Sequence, residues 1–542
     1  MVALDSIGSA FCLFFFSFTA LFSLFSVLVF IIRIRPWCNC DVCRSFLTSS
    51  WSKDFDNLCD WYTHLLKKSP TGTIHLHVLG NIITADPENV EHILKTKFHN
   101  YPKGKPFTTI LGDLLGRGIF NVDGDAWLFQ RKMASLELGS ISVRSYALEI
   151  VSSEIQSRLI PLLASFAEDR NDAVDLQDLF RRFSFDNICK FSFGLDPGCL
   201  QLSLPVSDFS VAFDTASKLS AGRAMTSSPI VWKIKRFFNI GSERQLRDAV
   251  KMVDSLAKSM IEQRREMGNF STQKDLLSRF MANIDDDQYL RDIVVSFLLA
   301  GRDTIASGLT SLFYLLSQHP EVKRAILEES DRVMGRSGSG SRSWVASFEQ
   351  MREMHYLHAV IYETMRLYPP IQFDSKYCQD DDVLPDGTFV QSGTRVTYHQ
   401  YAMGRMERVW GSDCLEFKPE RWLKNGLFTP ECPFKYPVFQ GGERVCLGKE
   451  LALLEMKSVA LALVRRFDIQ VSEPDRTPRF APGLTATVRG GLPDLFQWFS
   501  FDNIWKFSFR LDPSCLQLSM PILDFAVAFD ITSKLSEERR GS

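Results

Sequence analysis

The segment Phe439–Gly448, FQGGERVCLG, is the feature of this 542-residue chain that most restricts its fold. Its glycines allow a sharp backbone bend and a close approach to a flat ligand. Cys446 stands just before a predicted helix at 447–467, where backbone N–H groups and the positive helix end favour a thiolate. Arg444 adds a cation suited to a carboxylate. The pattern predicts a loop that presents a thiolate to a ligand, and the alternative is a glycine-rich turn around a buried cysteine.

Charge and cysteine content exclude some classes of partner and compartment. The 62 basic and 64 acidic residues give a formal charge of −2, so nothing indicates a nucleic-acid partner. The twelve cysteines form no repeating framework, as expected in a reducing compartment. Cys38, Cys40 and Cys43 cluster, with Cys59 further on, but the second closely spaced pair of a typical zinc site is missing. The sequence favours free thiols beside a membrane, open to palmitoylation, over a zinc site.

The N-terminal region predicts a membrane anchor at residues 6–32. No residue in this range is charged, and 27 helical residues span roughly 40 Å, enough to cross a bilayer core of about 30 Å. A cleaved signal peptide would have a basic start and a shorter apolar centre. Here the early charge is Asp5, whereas Arg33 and Arg35 follow the span. The positive-inside rule therefore places the remainder of the chain in the cytosol.

The remaining periodicity predicts a mainly α protein with minor β-sheet. Residues 74–84 read as a strand pair that turns at Gly80, and the pattern is then mainly helical to about residue 330. A second small β-region is predicted at 383–398.

One segment of the chain occurs twice. Residues 178–220 recur at 494–536, with 32 of 43 positions identical. Solenoids stack at least three similar units, so this is a duplicated fragment. We expect 494–542 to be an extension outside the fold, because its original already fills the matching place in a close-packed interior. The competing interpretation is a swap in which the copy replaces the original in a dimer.

Residues 293–304, IVVSFLLAGRDT, predict a buried helix that turns polar abruptly. Ala300 and Gly301 are small enough to let a ligand approach the backbone. Thr304 can bond a carbonyl one turn back and distort the helix, and Asp303 is an acid beside it. The alternative is a helix that emerges into solvent.

Two further pairs have helical spacing. Glu363 and Arg366 lie at i and i+3, and Trp127 and Arg131 at i and i+4, so each pair shares a helix face. Either pair alone would mean little, since such spacings arise by chance.

Together these motifs resemble the cytochrome P-450 superfamily over about residues 36–493. The ligand loop matches the family pattern at Phe439, Gly442, Arg444, Cys446 and Gly448, and the other motifs occur upstream in the family's order. The resemblance implies the cytochrome P-450 fold after one transmembrane helix. It also implies haem b as cofactor, with Cys446 as the iron ligand.

The resemblance also implies roles for the upstream motifs. Thr304 and its neighbour Asp303 would manage the protons used in oxygen activation, in a groove formed with the small residues at 300 and 301. Trp127 and Arg131 would hold a haem propionate. The buried ion pair of the YETMR helix would be closed by Arg421 and would support the ligand loop. Gly441 and Glu443 depart from the usual family residues, which could loosen that loop.

Longer stretches, including CNCDVCRSFLTSSW and LRDIVVSFLLAGRDT, resemble the plant fatty-acid ω-hydroxylases, especially their jasmonate-catabolic branch. This implies NADPH- and O2-dependent ω-oxidation of jasmonoyl-isoleucine or its 12-hydroxy form, an amphipathic carboxylic acid, and the alternative is fatty-acid ω-hydroxylation. No flavin or nicotinamide fingerprint follows a strand, so electrons would come from a separate NADPH-cytochrome reductase on the endoplasmic reticulum membrane.

Two other readings remain. A reductase-independent hydroperoxide isomerase would not need Asp303 and Thr304, and an inactive product of a duplicated locus would lack haem.

Overall fold

The computed structural model describes most of the chain between residues 14 and 498. The described residues are 14–28, 38, 40–49, 58–168, 174–200, 208–225, 229–268, 275–335, 346–471, 479–481, 483–488, 491 and 493–498.

Helices make up most of the described residues, as the periodicity predicted. In chain order they are α1 Phe14–Leu28, α2 Asp41–Ser49, α3 Leu58–Lys68, α4 Pro87–Glu91, α5 Gly104–Leu115, α6 Gly124–Leu138, α7 Ile141–Glu154, α8 Ile160–Glu168, α9 Leu176–Phe193, α10 Asp208–Met225, α11 Pro229–Phe238, α12 Gly241–Met267, α13 Leu276–Met281, α14 Asp287–Leu298, α15 Thr304–Gln318, α16 Pro320–Met334, α17 Phe348–Glu353, α18 His355–Leu367, α19 Gln400–Met403, α20 Glu407–Trp410 and α21 Lys449–Val464.

The sheets are small. Their strands are β1 Thr73–Leu76, β2 Asn81–Thr84, β3 Val174–Asp175, β4 Asp374–Tyr377, β5 Asp382–Val383, β6 Phe389–Val390, β7 Arg395–Tyr398, β8 Leu423–Lys424, β9 Leu427–Phe428, β10 Phe467–Val471, β11 Phe480–Ala481, β12 Thr487–Val488 and β13 Pro493–Trp498. The largest sheet has the order β1-β2-β7-β4, with β2 and β7 parallel and the other pairs antiparallel. The predicted turn between β1 and β2 is present, and Gly80 ends it in the left-handed conformation.

Three large hydrophobic cores hold the described elements together. One forms around α15, α18 and α21, a second around α5, α12 and α14, and a third beneath the largest sheet, where α2 and α3 also contribute. The apolar face of α9 contributes to the first two cores. The three cores meet around one cavity.

The first copy of the repeat lies inside this fold. Residues 178–220 contribute most of α9 and part of α10. The predicted boundary at 493 coincides with the start of β13, which pairs with β10 and β3. Residues 494–498 therefore continue a strand of the fold, and the rest of the second copy lies outside the described residues.

The apolar N-terminal run is described only in part, as the 15-residue helix α1, and its side chains are exposed. Among the described residues, the one helix long and apolar enough to cross a membrane is the continuous helix Asp287–Gln318. That helix is mostly buried inside the fold, so it serves as a core helix.

A buried carboxylate connects α18 to the chain that leads into the ligand loop. Both oxygens of Glu363 accept hydrogen bonds from Arg366, at 2.8 and 2.9 Å, and neither side chain is exposed. Arg421 donates to Glu363 at 3.0 Å, and the indole of Trp422 does so at 2.9 Å. Because both guanidinium groups and the carboxylate are satisfied, the burial of three charges is tolerated.

Aromatic contacts extend from this ion cluster to the ligand loop. The Tyr362 ring lies 5.3 Å from Trp422, 5.2 Å from Tyr436 and 6.0 Å from Phe439, measured between centroids. The Tyr436 hydroxyl donates to the Tyr362 carbonyl at 3.0 Å. The position of the loop therefore depends on the packing around Glu363.

We expect Glu363→Gln to destabilise the fold by about 3–5 kcal/mol, because it leaves the buried Arg366 guanidinium without a counter-charge and Arg421 paired with Asp413 alone. Urea unfolding and haem content of the purified protein would measure this. The exposed Glu353→Gln serves as the matched control. Equal unfolding midpoints for both variants would show that the cluster contributes little.

Candidate active site

The ligand loop turns sharply between two short helical turns, Pro437–Phe439 and Gly442–Arg444. The backbone N–H of Cys446 donates to the carbonyl of Phe439 at 2.8 Å, which closes the loop. Gly442 has a φ of +61°, and a Cβ at this position would lie 2.1 Å from the carbonyl oxygen of Leu94. Glycine is therefore required at 442 for both conformation and space.

Cys446 is the only cysteine among the described residues that line the cavity. Its side chain is exposed to the cavity, yet desolvation by the surrounding protein raises the pKa of its thiol, although the backbone N–H groups of Gly448 and Lys449 and the guanidinium of Arg131 act to lower it. The helix end thus favours the thiolate, as expected, but does not outweigh burial. A bound metal cation would stabilise the thiolate directly.

The cavity has a volume of about 500 Å³ and a mainly apolar wall. The predicted cofactor-binding residues all line it: Trp127, Arg131, Ala300, Gly301, Phe439, Arg444, Cys446 and Gly448. Thr304 lines it as well, but Asp303 does not.

The helix opposite the ligand loop is distorted where it meets the cavity. A wider helical turn at Leu299–Asp303 joins α14 to α15. The Thr304 hydroxyl donates to the Ala300 carbonyl at 2.5 Å, the back-bond anticipated from the sequence. Such wide turns occur frequently at functional sites.

Asp303 faces away from the cavity into the protein. It is buried and accepts a hydrogen bond from Arg302 at 3.1 Å, and Arg302 also binds Asp214 at 2.7 Å. Burial raises the pKa of Asp303 despite Arg302. The carboxylate is thus held in a charge cluster, and access to the cavity would need a rearrangement or a water chain.

Gly301 lines the cavity, as expected, and the fold requires a glycine here for a second reason. A Cβ at this position would lie 2.4 Å from the Cδ1 of Ile188, on α9. The glycine therefore allows the wide turn to pack closely against α9, as well as bordering the cavity.

Arg131 and Trp127 lie beside the ligand loop. An Nη of Arg131 donates to the carbonyl of Val445 at 2.5 Å, and the buried ring of Trp127 lies 4.6 Å from the Arg444 guanidinium. Arg444 donates to Asp123 at 2.6 Å, while its buried Nε has no hydrogen-bond partner among the described residues. A buried unsatisfied donor is costly, so a negatively charged group bound here would stabilise it.

Two lysines missed by the sequence analysis add to this positive wall. Lys103 and Lys376 donate to Asp374 at 2.8 and 2.7 Å. Burial lowers the pKa of Lys376 to about 7. Burial would raise the pKa of Asp374, but the two lysines lower it well below its ordinary range. Motif spacing could not reveal this cluster, because Lys103 and Asp374 are joined only by the fold.

The charges lining the cavity fit haem. Five basic side chains line it, Lys103, Arg131, Lys376, Arg395 and Arg444, against two acidic side chains, Asp374 and Glu455. The excess positive charge suits the two propionates of haem, and Cys446 supplies the thiolate ligand. Cys446, Arg131, Arg444 and Trp127 are the residues that would hold the group.

The chain matches the cytochrome P450 family over residues 47–492. Cytochrome P450 94C1 of Arabidopsis thaliana is 62% identical over 487 residues, which cover 89% of this chain and 97% of that protein. Cytochrome P450 94B1 of the same plant is 48% identical, covering 82% and 88%. Cytochrome P450 94A1 of Vicia sativa is 43% identical, covering 83% and 88%.

The chain therefore belongs to the cytochrome P450 family and is a haem-thiolate monooxygenase. Its similarity to proteins of the 94A, 94B and 94C types places it in the group to which they belong. A redox partner supplies the electrons in this family.

We expect Cys446→Ser to abolish monooxygenase activity and the carbon monoxide absorption band of thiolate-ligated haem, because an alcohol is too weakly acidic to replace the thiolate. Difference spectra of the purified variant would measure this. Cys432→Ser, at an exposed cysteine, is the control and should keep the band. A band retained by Cys446→Ser would place the ligand elsewhere.

A second carboxylate in the cavity wall has an unusual protonation state. Burial raises the pKa of Glu455 to about 8, and the Asn187 amide, which donates to it at 3.2 Å, only partly offsets this. The folded chain therefore keeps a proton that an unfolded glutamate releases near pH 4.3. This group's contribution to stability is complete below about pH 4 and is lost as the pH rises to about 8.

We expect Glu455→Gln to remove that loss, since the amide does not ionise. The stability of the variant relative to wild type should rise by about 1.4 kcal/mol per pH unit between pH 5 and 8 and stay level above. Urea midpoints from pH 5.5 to 9 would test this, with Glu353→Gln as control. Parallel curves for variant and wild type would mean that Glu455 titrates normally.

Proposed function

We propose that this monooxygenase oxidises the terminal carbon of an amphipathic carboxylic acid, jasmonoyl-isoleucine or its 12-hydroxy form, and carries the oxidation on to the carboxylate. The observation that supports this most directly is a mainly apolar cavity with an excess of cationic side chains beside Cys446. An apolar tail and a carboxylate are the two features that such a cavity accommodates. The sequence resemblance to the jasmonate-catabolic branch supports the particular substrate.

By resemblance to the family, five separate segments would supply the substrate walls, and each of them contributes residues to the lining of the cavity. They lie within 105–126, 205–245, 293–304, 369–376 and 482–488. Phe107, Phe297 and Leu484 are among the apolar side chains they contribute. We infer that these apolar side chains exclude water and guide the apolar tail of the substrate towards Cys446.

The protein's part in the reaction is to bind, orient and move protons. When bound, haem supplies the chemistry that inserts one oxygen atom of O2 into a C–H bond. Thr304 borders the cavity and has a hydroxyl that can exchange its bond to the Ala300 carbonyl for one to water or ligand. We assign it the delivery of protons, with Asp303 as a buried acid behind it.

Electrons would come from an NADPH-cytochrome reductase on the same membrane. A fatty-acid ω-hydroxylase is the main alternative, since its substrate has the same apolar tail and carboxylate. A hydroperoxide isomerase would need no reductase, and an inactive product of a duplicated locus would bind no haem.

A turnover assay comparing jasmonoyl-isoleucine, its 12-hydroxy derivative and lauric acid tests the proposal. We expect the first two to have the higher kcat/KM, with ω-oxidised products and dependence on NADPH. Preference for lauric acid would identify a fatty-acid hydroxylase, and turnover without NADPH would favour the isomerase. The carbon monoxide spectrum of the same preparation would establish whether functional haem is present.

We expect Thr304→Ala to keep haem and substrate binding but to lower the product formed per NADPH by at least about tenfold, with more hydrogen peroxide. The reason is that alanine cannot relay a proton. Thr310→Ala is a matched control, because Thr310 makes the same bond to a carbonyl four residues earlier but does not line the cavity. An unchanged product-to-NADPH ratio in Thr304→Ala would contradict the role.

We also propose that residues 6–32 anchor the enzyme in the endoplasmic reticulum membrane by a single span, with the catalytic domain in the cytosol. The exposed apolar side chains of α1 support this, since such a surface is normally covered by lipid or protein. Deleting residues 1–35 should shift the protein from the integral to the peripheral or soluble fraction and preserve the carbon monoxide spectrum. Retention in membranes after alkaline carbonate washing would indicate a second membrane contact.

A further inference from the structure

Three cysteines and one histidine converge near the start of the described catalytic domain. The sulfur atoms of Cys38, Cys40 and Cys43 lie 3.5, 3.8 and 3.8 Å from the Nδ1 atom of His77. All four atoms lie within 4.8 Å of one another. This cluster, which we call the Cys3His cluster, belongs to the core beneath the largest sheet and is separate from the lining of the haem cavity.

The spacing of the four atoms is close to that of a tetrahedral zinc site. Zinc binds thiolate sulfur at about 2.3 Å and imidazole nitrogen at about 2.0–2.1 Å. Tetrahedral geometry then separates sulfur from nitrogen by about 3.6 Å and two sulfurs by about 3.8 Å. The observed sulfur–nitrogen distances agree with the first value, and small side-chain rotations would bring the sulfurs to the second.

Local structure explains how the four residues meet. Cys40 and Cys43 flank the first turn of α2, where the backbone N–H of Cys43 points at the Cys40 sulfur at 3.5 Å. His77 begins the helical turn between β1 and β2, which Gly80 closes. Backbone N–H groups directed at the sulfurs stabilise thiolates, and the backbone at Val78 does the same for Cys43.

The sequence alone favoured free thiols over zinc, because the second closely spaced pair of a typical zinc site is missing. In the structure the fourth group is supplied by His77, 34 residues after Cys43 and on a separate element. Two sulfurs and one nitrogen could be explained as ordinary packing, but three thiols on one imidazole nitrogen exceed its hydrogen-bonding capacity. A borderline-soft cation that binds sulfur and nitrogen would coordinate all three sulfurs and the imidazole nitrogen, and zinc is the usual cation at such sites.

The charge of the three sulfurs as thiolates also favours a bound zinc ion. Three thiolates could not share this space without a cation. A divalent ion would neutralise most of their charge and displace their protons.

We propose that Cys38, Cys40, Cys43 and His77 bind one structural zinc ion, which fastens the segment before α2 to the β1–β2 turn. That segment directly follows the N-terminal apolar region. The ion would thus hold the first residues of the catalytic domain against the largest sheet. Its role is structural because four protein ligands leave no open coordination position.

Metal analysis of the full-length, haem-containing enzyme tests this proposal. The protein should be purified through an affinity tag without histidines, and zinc and iron measured together by mass spectrometry. We expect about one zinc per chain in wild type and a loss of most of it in Cys43→Ser and in His77→Ala. His64→Ala and Cys432→Ser are matched controls, because both residues are exposed and lie outside the cluster.

A second measurement covers variants that fail to fold, as judged by their carbon monoxide spectra. Wild-type enzyme stripped with a chelator should take up one zinc and thereby protect three cysteines from alkylation, which peptide mass spectrometry identifies. Wild type that binds no zinc after stripping and reloading would overturn the proposal. A fatty-acyl thioester on any of the three cysteines in the native protein would also overturn it.

Discussion

The carboxylate of Glu363 is buried on α18 and accepts hydrogen bonds from two guanidinium groups, an indole and a backbone amide. An apolar residue in its place would leave the buried Arg366 guanidinium without a counter-charge. Trp422, which donates to Glu363, packs against Tyr362, and Tyr362 in turn contacts Phe439 of the ligand loop. The thiolate that defines this enzyme is therefore held in place by an ion cluster that never touches the haem site.

The second constraint is electrostatic. Haem brings two carboxylates into a cavity that is otherwise apolar, and the substrate proposed here brings another. Buried anions need cations close by, and the cavity wall supplies more cations than carboxylates. Burial is unfavourable for the charges of both Lys376 and Arg444. Lys376 is paired with Asp374, whereas the Nε of Arg444 has no hydrogen-bond partner among the described residues. Both are stabilised when a negative group binds next to them.

The Cys3His cluster follows α1 closely in the chain, because Cys38 comes ten residues after Leu28, the last residue of α1. The proposed membrane anchor would restrict the position of the residues that follow it. In the described structure those residues reach the largest sheet through Cys43 and the side chains around it. A metal ion there would make the attachment rigid at the cost of few residues, because coordination bonds are stronger than the packing of so short a segment.

Features that depend on neighbouring residues could be predicted from the sequence: the bend at Gly442, the thiolate-bearing loop before α21, the back-bond of Thr304 and the helical pair Glu363–Arg366. These features follow from local backbone geometry and spacing, and they were sufficient to recognise the family. Which distant groups meet became visible in the folded chain. Lys103 reaches Asp374, Gly301 packs against α9, Asp303 turns away from the cavity, and His77 completes the cysteine cluster. Contacts between residues far apart in the chain depend on how the helices and sheet pack, and no local pattern encodes that packing.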